Sequence, residues 1–153
     1  MRKSAGILLF KREGHKVFFF LVHHGGPFWQ NKDLGAWSIP KGEFKEGDDP
    51  FENAIREFKE ETGFDIDGNF FPLQTIRQKA GKLVHAWAVE GNIDASKIVS
   101  NTYKMQWPPK SGKWIEVPEV DKAEWFDTET ALKKINSAQI AFIYEVLNLI
   151  ERR

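Results

Sequence analysis

Three glutamates and a following glycine are the residues of this sequence most suited to chemistry. The stretch REFKEETGF contains Glu57, Glu60 and Glu61, followed by Gly63. On a helix of 3.6 residues per turn the three carboxylates share one sector, where their like charges repel. Glu60 and Glu61 also fall in the last turn, where the helix dipole favours cations. A hard divalent cation such as Mg²⁺ prefers oxygen ligands, so it would convert this repulsion into coordination.

Acidic residues are concentrated around this predicted helix. On helix spacing alone, a solvated acidic face is the better explanation, because runs of charge are usually exposed to solvent. The residues before the helix shift the balance toward a metal site. Between residues 43 and 61 there are only three bases but eight acids, namely Glu43, Glu46, Asp48, Asp49, Glu52, Glu57, Glu60 and Glu61.

The residues from Gly42 onward read GEFKEGDDPFENAIREFKEETGF. They resemble the Nudix box, G-x5-E-x7-R-E-U-x-E-E-x-G-U, in which U is a bulky aliphatic or aromatic residue. One position departs from this pattern, because Asp48 stands where the family has the longer glutamate. The resemblance is specific, since it spans residues 42–64 and holds at many fixed positions. The matching residues are Gly42, Arg56, Glu57, Phe58, Glu60, Glu61, Gly63 and Phe64.

The resemblance implies an α/β fold of the Nudix type, an α/β/α sandwich with a mixed β-sheet. It also implies divalent-metal-dependent hydrolysis of a pyrophosphate bond in a nucleoside diphosphate linked to another group. In the family, the glutamates matching Glu57, Glu60 and Glu61 bind the metal, as does the backbone carbonyl matching Gly42. The resemblance therefore makes Mg²⁺ the expected cofactor, with Mn²⁺ as a substitute.

The resemblance also implies catalytic roles. The arginine matching Arg56 orients a glutamate by ion pairing, and one glutamate, or an acid from a later loop, acts as the general base. Glu57 and Glu60 are candidates, and Glu119 is the preferred later acid because it precedes the strand AEWF in a predicted active-site loop. Asp48 is expected to support the site from outside the ligand set, so it should matter less than the helix acids.

The chemistry of a pyrophosphate bond also requires several groups acting together. The bond is negatively charged and repels hydroxide, so metal ions are needed to neutralise its oxygens and position water. A carboxylate can then accept the proton of that water. One side chain cannot supply all of this, which explains why a cluster of carboxylates is present.

The helix that carries the glutamates has clear predicted boundaries over residues 50–62. Asp49 can cap its first turn, which Pro50 suits, and Gly63 suits the left-handed residue that ends a helix. A stripe that follows helical spacing is expected to face the core. Its members are Phe51, Ala54, Ile55, Phe58 and Thr62.

The other elements are predicted to be strands followed by two further helices. Residues 25–36 are expected to form a loop, KGEFKEGDD an acidic loop, and residues 105–121 a long loop rich in proline and glycine. Helices are expected over 128–135 and 137–150, the second packing in the core or, alternatively, forming a dimer contact. The expected strands are SAGILLF, VFFFLVHH, WSIP, FFPLQTIRQ, KLVHAWAVE and AEWF, with turns at Glu13-Gly14 and Ala80-Gly81.

The bulk properties of the chain predict one domain spanning residues 1–153. Hydrophobic residues make up 41% and charged residues 29%, which fits an ordinary globular protein. The absence of cysteine excludes disulfides and thiol catalysis. No apolar run reaches the roughly 20 residues of a membrane helix, so a cytoplasmic protein without a membrane partner is expected. Zero net charge makes nucleic acid an unlikely partner, although an RNA 5′ end is not excluded.

Residues outside the box are expected to select the substrate. Trp107 and Trp114 could stack on a base, while Lys110 and Lys113 could hold phosphates. The alternative for both tryptophans is that they fold into the sandwich. Lys41 precedes the box as PKG, which is similar to the diadenosine polyphosphate hydrolase branch of the family.

These observations predict hydrolysis of dinucleoside polyphosphates such as diadenosine tetraphosphate, by a monomer or a homodimer. One alternative is a pyrophosphohydrolase of nucleoside triphosphates, including oxidised ones, or of RNA 5′ ends. A different class of function is a Nudix sensor that binds nucleotides without turnover. The complete set of Glu57, Glu60 and Glu61 argues against the sensor.

Overall fold

Residues 2–151 fold into an eight-stranded mixed sheet, a separate two-stranded sheet and helices on both faces of the larger sheet. The computed structural model describes residues 2–151. The strands are β1 (Lys3–Glu13), β2 (Lys16–His24), β3 (Trp37–Ser38), β4 (Lys41–Phe44), β5 (Phe71–Pro72), β6 (Ile76–Arg77), β7 (Leu83–Glu90), β8 (Thr102–Gln106), β9 (Trp114–Pro118) and β10 (Val120–Asp127). The helices are α1 (Pro50–Thr62), α2 (Thr128–Lys134) and α3 (Ile140–Glu151).

The central strand β1 pairs along both of its edges. It is parallel to β7 on one edge and antiparallel to β2 and β4 on the other. The main order across the sheet is β10-β2-β1-β7-β5, with β3 beside β2 and β6 beside β7. The mixed sheet predicted by the family resemblance is therefore confirmed.

Alternation along the central strands separates two hydrophobic cores. Ile7 and Leu9 point to one face, where they pack with Ala54 and Phe58 of α1. Leu8 points to the other face, in the core that holds residues of α2 and α3. Successive side chains of a strand point to opposite faces, so one strand contributes to both cores. This arrangement confirms the α/β/α sandwich.

Helix α1 has the boundaries predicted from its capping residues. The Asp49 side chain accepts a hydrogen bond from the Phe51 backbone N–H at 3.1 Å. Gly63 ends the helix with a φ of 80°, and its N–H donates to the Lys59 carbonyl at 2.7 Å. Phe58 and Thr62 of the predicted apolar stripe are fully buried, which fixes this helix against the sheet.

The prediction of a long irregular loop over residues 105–121 is wrong. Strands β8 and β9 pair antiparallel from Thr102 opposite Pro118 to Gln106 opposite Trp114. Pro108, Pro109 and Gly112 lie in the turn between these strands, and Pro118 is the last residue of β9. We refer to residues 102–118 as the β8–β9 hairpin.

Three smaller boundaries also differ from the predictions. The first residues of the expected acidic loop form β4, which pairs with β1. The expected strand FFPLQTIRQ is divided into β5 and β6, which pair with successive parts of β7. The last helix begins as a 3-10 turn over Ser137–Gln139, and α3 continues from Ile140. Within residues 2–151, no helix is long and apolar enough to cross a membrane.

Candidate metal centre

Strand β4 brings a glycine directly beneath the first glutamate of the cluster. Gly42 pairs with Ala5 of β1, whose side chain belongs to the core that α1 covers. A Cβ atom at Gly42 would lie 2.0 Å from Cδ of Glu57 and 2.2 Å from its Oε1. Only glycine therefore allows the Glu57 carboxylate to lie against this backbone.

Two of the glutamates are buried rather than solvated. Glu57 is 9% exposed and Glu61 is 6% exposed. Burial and the charge of Glu60 raise the pKa of Glu57 to about 7. Burial, together with Glu57 and Glu119, raises the pKa of Glu61 well above its usual range. The interpretation as a solvated acidic face is wrong for these two residues, because a buried carboxylate costs free energy unless it is paired or coordinates a metal.

Glu119 reaches the same place from the end of the β8–β9 hairpin. One carboxylate oxygen from each of Glu57, Glu61 and Glu119 lies within 4.8 Å of the others. The Glu119 backbone is held by its N–H, which donates to the Asn101 carbonyl at 2.8 Å, and the Asn101 N–H donates to the Glu60 carbonyl at 2.8 Å. Burial, followed by the charge of Glu60, raises the pKa of the Glu119 carboxyl. Two hard oxygen donors from helix α1 and a third from the end of the β8–β9 hairpin thus converge, as Mg²⁺ coordination requires.

Glu60 is paired with Arg56 instead of joining these three carboxylates. Arg56 Nη1 donates to Glu60 Oε1 at 2.8 Å and lies 3.4 Å from Glu57 Oε2. The guanidinium therefore contacts both glutamates, which is the orienting position that the family resemblance implies. Direct metal binding by Glu60 stays a prediction.

Asn53 is a member of this network that the sequence interpretation missed. Its Nδ2 donates to the Gly42 carbonyl at 3.3 Å, and its Oδ1 accepts from Nη2 of Arg56. The side chain is buried and so links the backbone of β4 to the arginine that contacts Glu57 and Glu60. The available signal was an asparagine inside a helix, where this residue is a poor helix former.

Replacing Asn53 by alanine is expected to lower turnover about tenfold. The change removes a hydrogen bond to Gly42 and one to Arg56, and a typical hydrogen bond contributes about 1 kcal/mol, which corresponds to several-fold in rate. The variant should be compared by steady-state kinetics and thermal melting with Glu52→Ala, an exposed substitution on the same helix. Wild-type turnover in Asn53→Ala would show that this link does not position the site.

Lys41 begins β4, and Asp48 lies in the loop between β4 and α1. The backbone N–H of Lys41 donates to the Glu61 carboxylate, and burial together with Lys82 lowers the pKa of the Lys41 side chain. Asp48 Oδ2 accepts from the Lys45 backbone N–H at 3.2 Å. Asp48 therefore holds a turn of this loop, while Lys41 lies beside the carboxylates.

The predicted substrate residues of the β8–β9 hairpin lie farther along it. The Trp107 ring is half-buried and meets the Phe28 ring edge-on at a centroid distance of 5.0 Å. Trp114 is 61% exposed, and five residues of extended chain separate it from Glu119 by roughly 15 Å. Lys110 and Lys113 are exposed in or next to the turn of the hairpin. Their contacts with substrate stay predictions.

Known proteins resemble the chain in sequence over part of their length. It is 28% identical over 117 residues to the m7GpppN-mRNA hydrolase of Saccharomyces cerevisiae, covering 74% of this chain and 10% of that protein. It is 39% identical over 66 residues to the RNA pyrophosphohydrolase of Erythrobacter litoralis, covering 43% of this chain and 36% of that protein. The chain thus spans about a tenth of the first relative and about a third of the second.

Solved structures resemble the chain over nearly its whole length. The binary complex of the Caenorhabditis elegans Ap4A hydrolase aligns with a TM-score of 0.66 at 20% identity, covering 99% of this chain and 98% of that one. The NUDIX domain of Shewanella oneidensis NrtR, complexed with ADP ribose, aligns with a TM-score of 0.68 at 14% identity. The alignment covers 97% of this chain and 87% of that one. These likenesses show a shared fold. Because the NUDIX domain model also matches residues 1–146, the chain belongs to the NUDIX domain family.

Proposed function

We propose that the chain is a divalent-metal-dependent pyrophosphohydrolase that cleaves nucleoside diphosphates linked to another group. The observation that carries this proposal is the convergence of Glu57, Glu61 and Glu119 within 4.8 Å. Two of these carboxylates are buried, and their pKa values are raised by burial. Such a cluster is unfavourable by itself, and a bound cation would compensate its charge.

The residues present fit Mg²⁺, with Mn²⁺ as a substitute. Carboxylates are hard oxygen ligands, and the Gly42 carbonyl would add a backbone oxygen beside Glu57. Glu57, Glu61 and the Gly42 carbonyl would hold the metal, and Glu60 is proposed to join them after leaving Arg56. Glu119, whose carboxylate lies within 4.8 Å of Glu57 and Glu61, would stay available to accept a proton. When bound, the metal neutralises phosphate oxygens and favours attack by water.

The neighbouring residues supply orientation and proton transfer. Glu119 is proposed as the general base, because its half-buried position raises its pKa and so makes it a better proton acceptor near neutral pH. Arg56 holds the orientation of Glu57 and Glu60, and Asp48 holds the loop that ends at α1. Lys41 is proposed to contact the phosphates of the substrate.

Dinucleoside polyphosphates such as diadenosine tetraphosphate are the substrates we favour. A pocket is lined by four basic residues, Arg2, Arg77, Lys79 and Lys82. Arg2 Nε and Lys82 Nζ lie 3.5 Å and 3.4 Å from the Glu43 carboxylate of β4, the strand that carries Gly42. Lys82 is also close enough to Lys41 to lower the pKa of that lysine. Positive charge that extends beyond the carboxylates suits a substrate with several phosphates in a row. The structural likeness to an Ap4A hydrolase agrees with this choice.

A second candidate is hydrolysis of nucleoside triphosphates, including oxidised ones, or of RNA 5′ ends. The identity to an RNA pyrophosphohydrolase favours the RNA substrate, and the same basic pocket suits an RNA backbone. The third candidate is a sensor without turnover. The structural likeness to the NrtR domain complexed with ADP ribose fits binding of a nucleotide by this fold. The presence of all three glutamates, Glu57, Glu60 and Glu61, argues against the sensor.

We propose a single domain over residues 1–153, acting in the cytoplasm as a monomer or homodimer on small nucleotides. Trp107, Trp114, Lys110 and Lys113 are retained as proposed substrate contacts of the β8–β9 hairpin.

A substrate panel tests the proposed function. Diadenosine tetraphosphate, a nucleoside triphosphate, an oxidised nucleoside triphosphate and triphosphorylated RNA would each be incubated with Mg²⁺, with Mn²⁺ or with chelator. We expect metal-dependent cleavage with the highest kcat/KM for diadenosine tetraphosphate. A higher kcat/KM for RNA would favour the second candidate. Tight binding without cleavage of any compound would instead identify a sensor.

A further inference from the structure

Two exposed aromatic rings lie on the segment that follows β2. This segment, residues 25–36, carries Phe28, which is 56% exposed, and Trp29, which is 36% exposed. Its first residue is in contact with the candidate metal centre, because the Gly25 N–H donates to the Glu119 carbonyl at 3.1 Å. A Cβ at Gly25 would lie 2.1 Å from the Pro118 carbonyl oxygen. The rings therefore belong to a segment that begins beside a candidate metal ligand.

Segment 25–36 is fixed to the body of the protein at several points. The fully buried His23 ring lies 2.9 Å from Asp121 Oδ1 and 2.7 Å from the Lys32 carbonyl oxygen. The Trp37 indole N–H donates to Asp33 at 2.9 Å. The Gly35 N–H donates to the Lys133 carbonyl at 3.0 Å. An aromatic ring that stays exposed on an anchored segment is available to a ligand with little loss of conformational entropy.

The position of Trp29 connects it to the carboxylate site. Its ring lies 5.0 Å from the ring of His24. Burial, followed by the charge of Lys41, lowers the pKa of His24 to about 4, so this ring is neutral near pH 7. Lys41 in turn lies beside Glu61. Lys32 Nζ lies over the Trp29 ring, 5.1 Å from its centroid.

We infer that Trp29 is the stacking surface for the base of the nucleotide whose phosphates lie at the carboxylates. The ring contacts His24, which is close enough to Lys41 for that lysine to lower its pKa, and the exposed Lys32 side chain lies over the ring. A flat ring with lysines nearby complements a nucleotide, which joins a flat base to anionic phosphates. The inference deepens the proposed function and rests on it for the position of the phosphates.

Trp29 differs in this respect from the tryptophans predicted on the β8–β9 hairpin. Trp107 is half-buried, and its ring meets the Phe28 ring of segment 25–36 edge-on at 5.0 Å. Trp114 lies roughly 15 Å of extended chain from Glu119. In a dinucleoside polyphosphate, we expect the base nearer the cleaved phosphate to stack on Trp29. Trp114 could then contact only a more distant group of the substrate.

The test compares the binding of AMP and ribose 5-phosphate, which share a sugar phosphate and differ in the base. Isothermal titration calorimetry with excess Mg²⁺ should show that the wild-type chain binds AMP more tightly. Trp29→Ala should weaken AMP binding about 5- to 150-fold, the range for loss of one base–aromatic stack. Its affinity for ribose 5-phosphate should stay unchanged. Trp29→Phe keeps a ring and should retain most of the preference for AMP.

Matched variants separate base binding from damage to the segment. Leu34→Ala alters an exposed apolar residue of segment 25–36 that is 72% exposed, and it should leave both affinities unchanged. A wild-type chain that binds AMP no better than ribose 5-phosphate, or equal losses for both probes in Trp29→Ala, would overturn the inference. Loss of the AMP preference in Trp114→Ala but not in Trp29→Ala would also overturn it. Binding can be measured without turnover. If the chain hydrolyses no substrate but shows the AMP preference and its loss in Trp29→Ala, the proposed hydrolysis is refuted and the inference about Trp29 stands.

Discussion

Glu57→Gln is expected to lower turnover at least about 100-fold while the metal-free protein stays folded and becomes more stable. The rate should fall because the variant loses a proposed metal ligand. Positioned carboxylates contribute about 100-fold or more to the rates of such reactions. The gain in stability follows because the amide is neutral where Glu57 is buried beside Glu60. Steady-state kinetics with Mg²⁺ and thermal melting with chelator measure the two effects. Glu60→Gln should also lose most of its turnover, through the loss of its pair with Arg56 and of its proposed ligand role.

The stability gain of Glu57→Gln should depend on pH in a defined direction. The pKa of Glu57 is raised from 4.5 to about 7 in the folded protein, so the folded state binds this proton more tightly than the unfolded state. Between these two values, rising pH therefore destabilises the wild-type protein. The difference in melting temperature should be small at about pH 5 and larger at about pH 8. Glu46→Gln, an exposed acid in the preceding loop, is the control and should show no such trend.

Gly42→Ala is expected to lower turnover as much as Glu57→Gln does. Unlike Glu57→Gln, it should also destabilise the protein. The added Cβ would lie 2.0 Å from Cδ of Glu57, so either the carboxylate or β4 must move. Overpacking of this kind costs about 1–3 kcal/mol, and a displacement of about 1 Å in a catalytic group can cost 100-fold in rate. Kinetics and denaturant unfolding measure both effects.

A matched glycine provides the control for Gly42→Ala. A Cβ at Gly91 would meet the movable ends of Leu9 and Ile66 at 3.3 Å and 3.5 Å, so Gly91→Ala should change turnover little. If Gly42→Ala kept the activity and stability of Gly91→Ala, the close packing of Glu57 on β4 would not matter for function.

The sequence predicts the parts of this protein that depend on local residues. Asp49 and Gly63 define the ends of α1, because capping depends on the residues next to the helix. The apolar runs of β1 and β2 on either side of the Glu13-Gly14 turn predict the first hairpin for the same reason. The β8–β9 hairpin was missed because proline and glycine in its turn outweighed the short strands on either side.

The candidate site was predicted only in part, because much of it forms through distant contacts. The types and spacing of Glu57 and Glu61 are visible in the sequence, but their burial depends on β4 lying beneath α1. Glu119 approaches them only after the chain has crossed the β8–β9 hairpin. The roles of Asn53 and Trp29 also depend on contacts that residue spacing does not contain, namely with Gly42 and with His24.

The most direct measurement of the central claim follows oxygen during hydrolysis of diadenosine tetraphosphate in isotopically labelled water. Metal-assisted attack of water on a pyrophosphate bond places the new oxygen on phosphorus. We predict that the wild-type chain forms a labelled phosphate product with Mg²⁺, that chelator stops the reaction, and that Glu57→Gln forms almost none. Label that appears only outside the phosphate groups, or turnover that continues unchanged in chelator and in Glu57→Gln, would contradict the account.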